Sequence, residues 1–456
     1  MASLEKLLQR VDESENEIVQ LACDLIRFST VNTGVMPTGD ELPLVEFLQK
    51  KLAADGIESQ ILKSADNRAN LVARLPGRQG TPRLLYMGHT DVVPVENESQ
   101  WKYPPFSGTV ADGRIWGRGA ADMKDMVAAE AMALLLLKRA GVALQGDLIY
   151  AAGADEEAGG KYGFGWLAQN APEAIRADYA LNEGGGMPIA TSKGLTYGIS
   201  VGEKGRLEAH IALRGKATHA AMPWAGDNVA FKLAEILKRL EAYQPELNVS
   251  QEIFSALPSL LGRSETITVE NVNAVADEVG AQNRHLGYEL RGLSRMTLVP
   301  TMFSAGIKSN SVPESCSLVC DVRTLPHQDE AYVRSQVDIV LAGIEGVSYE
   351  LVYTAVPSAS SFQTDFAAAV RRATETVTGR RDLLWLPSLT IGFTDARLVR
   401  PLGAIVYGFG PGHPDSDPNF PSGVHGMNEN TEIRGLLLMT KLFVALAWDV
   451  LKAQVD

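Results

Sequence analysis

Three short apolar segments in the first half of the chain are each followed, within a few residues, by carboxylates. Apolar runs of this length, bounded by turn-forming residues, are typical of strands that are buried on both faces of a sheet. Open α/β sheets hold their reactive groups at the carboxyl ends of such strands. The pattern therefore predicts an α/β fold with a chemical site at one edge of its sheet. The segments are 84–86, 148–152 and 179–181, and the residues that follow them are His89 and Asp91, Asp155–Glu157, and Glu183.

The first of these segments continues into the run Met87-Gly-His89-Thr-Asp91. His89 offers a ring nitrogen that can bind a metal ion. Asp91 can accept the proton of the other ring nitrogen, which would fix the tautomer and make the metal-binding nitrogen more basic. An isolated His-x-Asp sequence is common, so the meaning of this pair depends on the acidic clusters that accompany it.

Two further segments supply candidate ligands. Asp122 lies in a glycine-rich turn before a helix predicted over 126–139, and the alternative interpretation is that it only caps that helix. His425 follows a proline- and glycine-rich run, 408–423. The adjacent carboxylates of 155–157 would repel one another unless a positive charge lay between them, although a hydrated surface loop is the alternative.

The donor set of two histidines and several carboxylates, without a thiolate, suits zinc and also cobalt or manganese. Two ions fit this set better than one. A carboxylate can bridge a pair of ions, and a spare carboxylate can act as a base on the water between them.

In their order along the chain, these motifs resemble those of the M20 metallopeptidase family. They extend from residue 87 to residue 429 and so cover nearly the whole sequence. Five motifs in the family order are far more specific than any one of them. The motifs are His89-Thr-Asp91, Gly117-Arg-Gly-Ala-Ala-Asp122-Met-Lys, Asp155-Glu-Glu157, Asn182-Glu183-Gly and Val424-His425-Gly.

The resemblance implies a role for each of these residues. Asp122 would bridge two zinc ions, and Asp91 would orient His89. Glu156 would be the general base on the water between the ions. The other implied ligands are His89 and Glu183 for one ion, and Glu157 and His425 for the other.

The stretch between the fourth and fifth motifs changes character, which predicts an inserted domain. Alternating apolar residues over 207–213 predict a strand with one buried face, and further strand and helix patterns follow. Their order suggests an α+β layer with helices on one face of a mainly antiparallel sheet. We therefore expect a catalytic domain of residues 1–195 and 355–456, interrupted by a lid or dimerisation domain of residues 196–354. Residues 250–300 have weak periodicity and look like extra lid length.

Three residues of this predicted lid match positions of the same family. The resemblance implies that His219, in Gly215-Lys-Ala-Thr-His219-Ala-Ala-Met-Pro223, reaches the active site of a partner subunit and stabilises the oxyanion. Asn310, in Asn-Ser-Val-Pro, and Arg323, in Asp-Val-Arg-Thr-Leu-Pro, are implied to help hold substrate. A homodimer through the lid is expected, although a longer lid that supplies these groups within one chain is the alternative.

The segment Gly392-Phe393-Thr-Asp395-Ala-Arg397 resembles a substrate loop of the family. Arg397 is a candidate clamp for a substrate carboxylate, since guanidinium binds carboxylate through two parallel hydrogen bonds. The alternative is an ion pair with Asp395 or another acid. Phe393 stands where the family has a glycine, a change expected to narrow or redirect the pocket.

Composition limits the partners and the compartment. The chain has 55 acidic and 42 basic residues and a net charge of −13, which disfavours nucleic acid and anionic membranes as partners. The most apolar stretch, within 435–451, is interrupted by Lys441 and Asp449 and is expected to be a buried helix. The N-terminus has no signal-peptide pattern. Cys316 and Cys320 are too far apart along a predicted strand to form a disulfide, so we expect buried thiols and a cytoplasmic protein.

The motifs and the family resemblance together imply a dinuclear zinc hydrolase that cleaves an amide bond in a dipeptide, a C-terminal peptide or an N-acyl amino acid, with Glu156 as the base. One alternative is an N-acetyl or N-succinyl deacylase of amino-acid biosynthesis. Another is a metal-binding module that binds peptides but has lost hydrolysis. The retention of Glu156 together with every ligand disfavours this last alternative, because a silent relative would be free to lose them.

Overall fold

The computed structural model describes residues 3–191, 193–417 and 420–452, which form two main sheets and the helices that cover them. The strands are β1 Ser59–Ala65, β2 Arg68–Leu75, β3 Leu84–His89, β4 Thr109–Ala111, β5 Arg114–Trp116, β6 Leu148–Gly153, β7 Tyr179–Asn182, β8 Pro188–Thr191, β9 Gly194–Glu203, β10 Gly205–Arg214, β11 Thr297–Ala305, β12 Ser315–Thr324, β13 Val347–Ala355, β14 Ser358–Ala359, β15 Leu384–Thr390, β16 Ile405–Gly408 and β17 Asn430–Glu432. The helices are α1 Leu4–Glu13, α2 Glu15–Ile26, α3 Leu42–Ala54, α4 Lys124–Arg139, α5 Phe164–Asn170, α6 Pro172–Ile175, α7 Val229–Ala242, α8 Glu252–Leu261, α9 Val272–Gln282, α10 Arg284–Leu293, α11 Glu330–Leu341, α12 Asp365–Thr378, α13 Ala396–Val399 and α14 Ile433–Val450.

The large sheet is mixed and has the order β1-β2-β6-β3-β7-β16-β9-β14, with β8 and β15 also paired to β9. Its central strands β6, β3, β7 and β16 run parallel to one another. Their carboxyl ends therefore meet at one edge of the sheet. The three apolar segments that the sequence singled out are β3, β6 and β7, so the predicted α/β class is confirmed.

Helices cover both faces of this sheet, which explains why its central strands are continuously apolar. On β3, Leu84 and Tyr86 face one helical layer, and Leu85 and Met87 face the other. The first layer includes α4, an alanine-rich helix buried on nearly all sides, and α14, which packs against it. None of the helices in the described parts of the chain combines the length and apolar character needed to cross a bilayer, and α14 is a buried helix as expected.

The small sheet is antiparallel and has the order β11-β12-β10-β13. One face packs on α7 and α11, and the apolar residues at alternate positions of β10 and β12 fill the core between them. Cys316 and Cys320 belong to this core, and both are free thiols, as predicted. The predicted second layer, with helices on one face of an antiparallel sheet, is therefore confirmed.

Helices α8, α9 and α10 lie between α7 and β11 along the chain, within the range expected to form extra lid. Their buried side chains, however, belong to the core of the large sheet rather than to the core of the small one. Helix α8 packs against β15. The periodicity of a helix fixes which of its faces is buried, but it does not say against which sheet.

Candidate active site

His89 is the last residue of β3, and its imidazole ring is almost completely buried. Its Nδ1 atom lies 3.0 Å from the backbone carbonyl oxygen of Asp91 and 3.6 Å from the Asp91 carboxylate. A carbonyl oxygen can only accept a hydrogen bond, so this contact places the ring proton on Nδ1. The Nε2 atom is left as the nitrogen that can bind a metal ion.

Asp122 lies between the two histidines. Its Oδ1 atom is 3.0 Å from Nε2 of His89, and its Oδ2 atom is 3.2 Å from Nε2 of His425. Each carboxylate oxygen thus faces a different histidine, which is the arrangement needed to bridge two cations. The structure thus brings together Asp122 and His425, which are about 300 positions apart in the sequence.

Two glutamates complete the cluster around this carboxylate. Oε2 of Glu157 lies 3.2 Å from Nε2 of His425, and Oε1 of Glu183 lies 3.7 Å from Nε2 of His89. Potential ligand atoms of His89, Asp122 and Glu157 lie within 4.8 Å of one another, as do those of His89, Glu156 and Glu183. All five sequence-predicted ligands therefore converge, together with Glu156.

Glu156 is buried, and within the described structure its Oε1 atom has no hydrogen-bond partner. The Oε1 atom of its neighbour Glu157 is also buried without a partner. Burial raises the pKa of Glu156 well above its ordinary value, and the nearby charge of Glu183 raises it further. A buried acid of this kind takes up a proton more readily than an exposed one.

The electrostatics of the whole cluster show its need for positive charge. Burial raises the pKa of Glu183 well above the usual range, and the charge of Asp122 adds to the effect. Hydrogen bonds to Asp122 and Glu157 raise the pKa of His425 to about 10. Burial acts to lower the pKa of His89, but Glu183 and Asp122 outweigh it and raise that pKa. A cation among these carboxylates would remove their mutual repulsion.

Glu429 holds the turn that carries Asp122. Its carboxylate accepts the backbone amides of Gly119, Ala121 and Asp122 at 2.9–3.0 Å and forms a buried ion pair with Arg118. Strand β17 pairs with β5 and so fixes the segment that carries both Glu429 and His425. No role for Glu429 follows from the sequence motifs, although it lies four residues after His425.

A second buried network holds the Glu156–Glu157 turn. Arg68 forms ion pairs with Glu41 at 2.8 Å and Asp155 at 2.9 Å, and all three side chains are almost fully buried. Asn32 donates to both Asp155 and Asp91, at 3.0 and 2.8 Å. The sequence reasoning missed this network, since Asn32, Glu41 and Arg68 belong to none of the motifs.

The glycines after Glu183 are required by the backbone. Gly185 and Gly186 have φ angles of 73° and 84°, a region that favours glycine. A Cβ atom on Gly186 would come within 2.4 Å of the carbonyl oxygen of Gly410. The chain can therefore turn sharply at the end of β7 and leave Glu183 facing the cluster.

His219 and Asn310 lie side by side on the small sheet and are not among the residues that cluster around Asp122. Their segments pair through a bridge between His219 and Ser311 and through a 3.0 Å hydrogen bond from the Ala220 amide to the Asn310 carbonyl. Both side chains are exposed. Nδ1 of His219 accepts the amide of Ala221 at 3.1 Å, which leaves its Nε2 atom directed elsewhere.

Arg323 lines a cavity of about 450 Å³ between the small sheet, α10 and the 392–397 loop. The cavity wall also includes Lys204, Tyr288 and Gly392. Nε of Arg323 donates to Asp321 at 2.8 Å. The structure thus brings Arg323 next to the predicted substrate loop.

Arg397 is buried, and both of its terminal nitrogens donate to backbone carbonyls. Nη1 donates to Thr394 at 2.5 Å and Nη2 to Gly159 at 2.8 Å, while its guanidinium lies 4.6 Å from the ring centre of Phe393. Within the described residues it forms no ion pair, so the alternative pairing with Asp395 is not seen. Asp395 is itself buried, and burial raises its pKa to about 7.

The sequence of this chain matches that of a known protein family over most of its length. The model of Peptidase family M20/M25/M40 matches residues 85–449. A succinyl-diaminopimelate desuccinylase of Parvibaculum lavamentivorans is 30% identical over 396 residues, which are 85% of this chain and 86% of that protein.

Two solved structures share the fold. The M20 family metallo-carboxypeptidase Sso-CP2 of Sulfolobus solfataricus superposes with a TM-score of 0.71 at 20% identity, over 94% of this chain and 98% of that one. The YXEP protein of Bacillus subtilis, a dinuclear metal-binding peptidase, superposes with a TM-score of 0.60 at 15% identity, over 97% of this chain and 100% of that one.

Proposed function

The chain belongs to Peptidase family M20/M25/M40 and is a hydrolase of that family, and from this premise we propose that it hydrolyses an amide bond in a dipeptide, C-terminal peptide or N-acyl amino acid at a two-metal centre. The observation that carries the proposal is the bridging position of Asp122, with one oxygen toward His89 and the other toward His425. The family resemblance stated from the motifs is confirmed by the match of the family model over residues 85–449.

The donor set fits two divalent ions. Within the described residues, one buried oxygen each of Glu156 and Glu157 has no hydrogen-bond partner, and Nε2 of each histidine faces a different oxygen of Asp122. We propose that Asp122 is shared, that His89 and Glu183 hold one ion, and that Glu157 and His425 hold the other. Zinc suits these ligands, with cobalt or manganese as substitutes. Bound ions would supply an acidified water and an electrophile for the carbonyl oxygen.

We propose that Glu156 is the general base. Its side chain is buried beside His89 and Glu183, its Oε1 atom has no hydrogen-bond partner among the described residues, and its raised pKa favours proton uptake from water. The same carboxyl group would then give this proton to the nitrogen of the leaving amine. Asp91 would keep His89 in one tautomer and the Glu156 backbone in place.

We propose that His219 stabilises the oxyanion in the active site of a partner subunit. Its exposure on the small sheet supports a role outside its own chain, as does its Nε2 atom, since the hydrogen bond found for this ring among the described residues uses Nδ1. The strand β11 lies at the edge of the small sheet and exposes Met302 and Phe303, each 67% accessible. An apolar, unpaired edge strand is a surface suited to pairing with a second copy, so we propose a homodimer through the lid.

We propose that Arg323, together with Asn310 of the partner subunit, holds the carboxylate end of the substrate, since Asn310 lies beside His219 on the small sheet. The cavity beside Arg323 is large enough for an amino acid and adjoins the loop that contains Phe393. The guanidinium of Arg397 is buried, and its two terminal nitrogens already donate to the carbonyls of Thr394 and Gly159, which holds it between these two loops. Arg397 therefore fits better as a residue that shapes this loop.

A second candidate function is N-succinyl deacylation, which is also an amide hydrolysis. It is favoured by the 30% identical relative, a succinyl-diaminopimelate desuccinylase. Succinyl groups carry a carboxylate that the Arg323 cavity would suit.

We also propose a cytoplasmic location. The three cysteines are buried free thiols, which agrees with a reducing compartment.

The test is a hydrolysis screen on dipeptides, N-acetyl amino acids and N-succinyl-diaminopimelate, with metal content measured by elemental analysis. We expect about two metal ions per chain and the release of a free amino acid that a chelator abolishes. Hydrolysis that persists in metal-free protein would contradict the proposal. Release from the succinyl substrate alone would select the second candidate.

A further inference from the structure

The chain passes between the large and small sheets twice through very short connections that lie side by side. Lys204 alone separates β9 from β10, and Val356 and Pro357 separate β13 from β14. The two connections are paired, since Glu203 and Ser358 are partners in the antiparallel ladder of β9 and β14. A Cβ atom on Gly205 would come within 2.6 Å of Pro357, which shows how closely the connections approach.

The Glu203 carboxylate lies at this crossing, buried, and has partners from three other parts of the chain. Its Oε1 atom accepts the Ser358 hydroxyl at 2.7 Å and pairs with Arg400 at 2.5 Å. Its Oε2 atom accepts both the amide and the hydroxyl of Thr394, at 3.0 and 2.6 Å. One carboxylate therefore fastens both crossing strands to the 392–397 loop.

Further hydrogen bonds connect this loop to the turn that carries Glu156 and Glu157. The carbonyl of Thr394 accepts Nη1 of Arg397, and Nη2 of Arg397 donates to the carbonyl of Gly159 at 2.8 Å. The amide of Gly159 donates to the carbonyl of Glu156 at 2.8 Å. An unbroken series of contacts thus runs from Glu203 to the turn that carries Glu156 and Glu157.

We propose that Glu203 is a positioning residue. It fixes the 392–397 loop, and with it the substrate cavity beside Arg323, relative to the two strands that connect to the small sheet. Hydrogen bonds to a buried carboxylate are strong, and four donors share this one. Any change in the angle between the sheets must move or stretch these bonds. The kinetic part of this inference rests on the proposed amide hydrolysis, whereas its structural part does not.

Two variants test the inference through different atoms. Thr394→Val removes the hydroxyl donor and keeps the size of the side chain, and Thr394→Ser restores the donor. Glu203→Gln removes the charge and leaves Thr394 intact, including its 3.3 Å contact with the Ala396 amide. Thr374→Val, in α12, is the matched control. It removes a buried threonine hydroxyl too, but one that donates to a backbone carbonyl instead of to Glu203.

The first readout is amide hydrogen exchange of the 392–397 segment, which needs no substrate. We expect Thr394→Val and Glu203→Gln each to speed exchange there by about tenfold or more, as for the loss of a hydrogen bond to a charged group. The Thr394→Ser and Thr374→Val variants should match the wild type in this segment. Unchanged exchange in both test variants would overturn the inference, whether or not any substrate had been found.

The second readout is kinetic and uses the substrate that the screen identifies among dipeptides and N-succinyl-diaminopimelate. We expect KM to rise by about tenfold in Thr394→Val and Glu203→Gln while the metal content and kcat change little, since the loop binds substrate and does not hold metal. Faster exchange with unchanged KM would overturn the positioning role. Failure of the wild type to hydrolyse every substrate would instead contradict the proposed function and leave the exchange result valid.

Discussion

The carboxylate of Asp91 accepts the backbone amide of Glu156 at 3.1 Å, with its other oxygen 3.2 Å from the amide of Glu157. The backbone carbonyl of Asp91 accepts a hydrogen bond from Nδ1 of His89. Asp91 therefore joins a ligand on β3 to the ligand and the base that follow β6. Its role is wider than the orientation of one histidine, because it also fixes the turn that presents the two glutamates.

We expect Asp91→Asn to lower the affinity for the metal ions by about 10- to 100-fold, as is usual when a group that supports a ligand is changed. The amide retains one acceptor and adds a donor, so it cannot accept both glutamate amides. Competition with a chromogenic chelator measures the affinity. Asp178→Asn, which alters an exposed carboxylate that also accepts a backbone amide, is the control. Equal affinities in the two variants would show that Asp91 does not support the centre.

We expect Glu156→Gln to lower kcat by about 10²- to 10⁴-fold, the usual contribution of a general base, without loss of metal. Glutamine keeps the size of the side chain but cannot take up a proton. Steady-state kinetics and elemental analysis on the same sample provide the measurement. Glu173→Gln, at an exposed position, should leave both values unchanged. A kcat within tenfold of the wild type would rule out Glu156 as the base.

We expect zinc to raise the melting temperature of metal-free protein in proportion to the logarithm of its concentration. An ion that binds only the folded state stabilises by about 2.7 kcal/mol at 100 times its Kd, and it also relieves the repulsion among the buried carboxylates. Thermal unfolding after chelator treatment and zinc titration measures the effect. His425→Ala should show a smaller shift at each concentration. A melting temperature that did not respond to zinc would contradict the ligand assignment.

We expect two inactive variants, Glu156→Gln and His219→Ala, to restore activity to each other when their subunits are exchanged. A mixed dimer has one active site with Glu156 from one chain and His219 from the other, so recovery should approach about a quarter of the wild-type activity in a symmetric dimer. Activity measured before and after subunit exchange is the readout. Mixtures that stay inactive, although the variants form mixed dimers, would place His219 outside the partner's site.

We expect Lys204→Met to flatten the pH dependence of stability above neutral pH. Burial, followed by the charges of Arg323 and Arg295, lowers the pKa of Lys204 from its ordinary 10.5 to about 7. Between these values the unfolded chain binds more protons than the folded one. The free energy of unfolding therefore rises with pH across this window, by at most about 1.4 kcal/mol per unit, and the contribution of this residue is lowest below pH 7.

Urea unfolding at several pH values between 7 and 10 measures this slope. The neutral amine can still donate to the carbonyls of Gly292 and Arg295, at 2.6 and 2.8 Å, so the fold does not need the charge. Lys238→Met, an exposed position on α7, is the control. A wild-type slope that the Lys204 variant retained in full would show that another group causes it.

The part of the site that follows directly from the sequence is the part that lies at strand ends. His89, Glu156, Glu157 and Glu183 each follow an apolar run, and a parallel arrangement of those strands is enough to bring them together. Each strand and its motif are adjacent in the sequence, so a local pattern was enough to predict the position of these side chains.

The supporting contacts could not be obtained in this way. Glu429 holds the Asp122 turn across more than 300 residues, and Arg68 meets Asp155 across 87. Nothing local to Arg68 predicts that its guanidinium is buried, because the cost of burial is offset only by partners elsewhere in the chain. Arg397 shows the same limit, since its carbonyl partners depend on how two loops approach each other.

The return of α8–α10 to the large core has a consequence for how the molecule unfolds. The chain moves from one core to the other four times, at Lys204, after α7, after α10 and at Val356–Pro357. The chain segment that forms the small sheet also contains α8–α10, which belong to the core of the large sheet. Removing this segment would therefore take three helices from the large core as well. Heat or denaturant should therefore melt both cores in one cooperative transition, even though they are built on two different sheets.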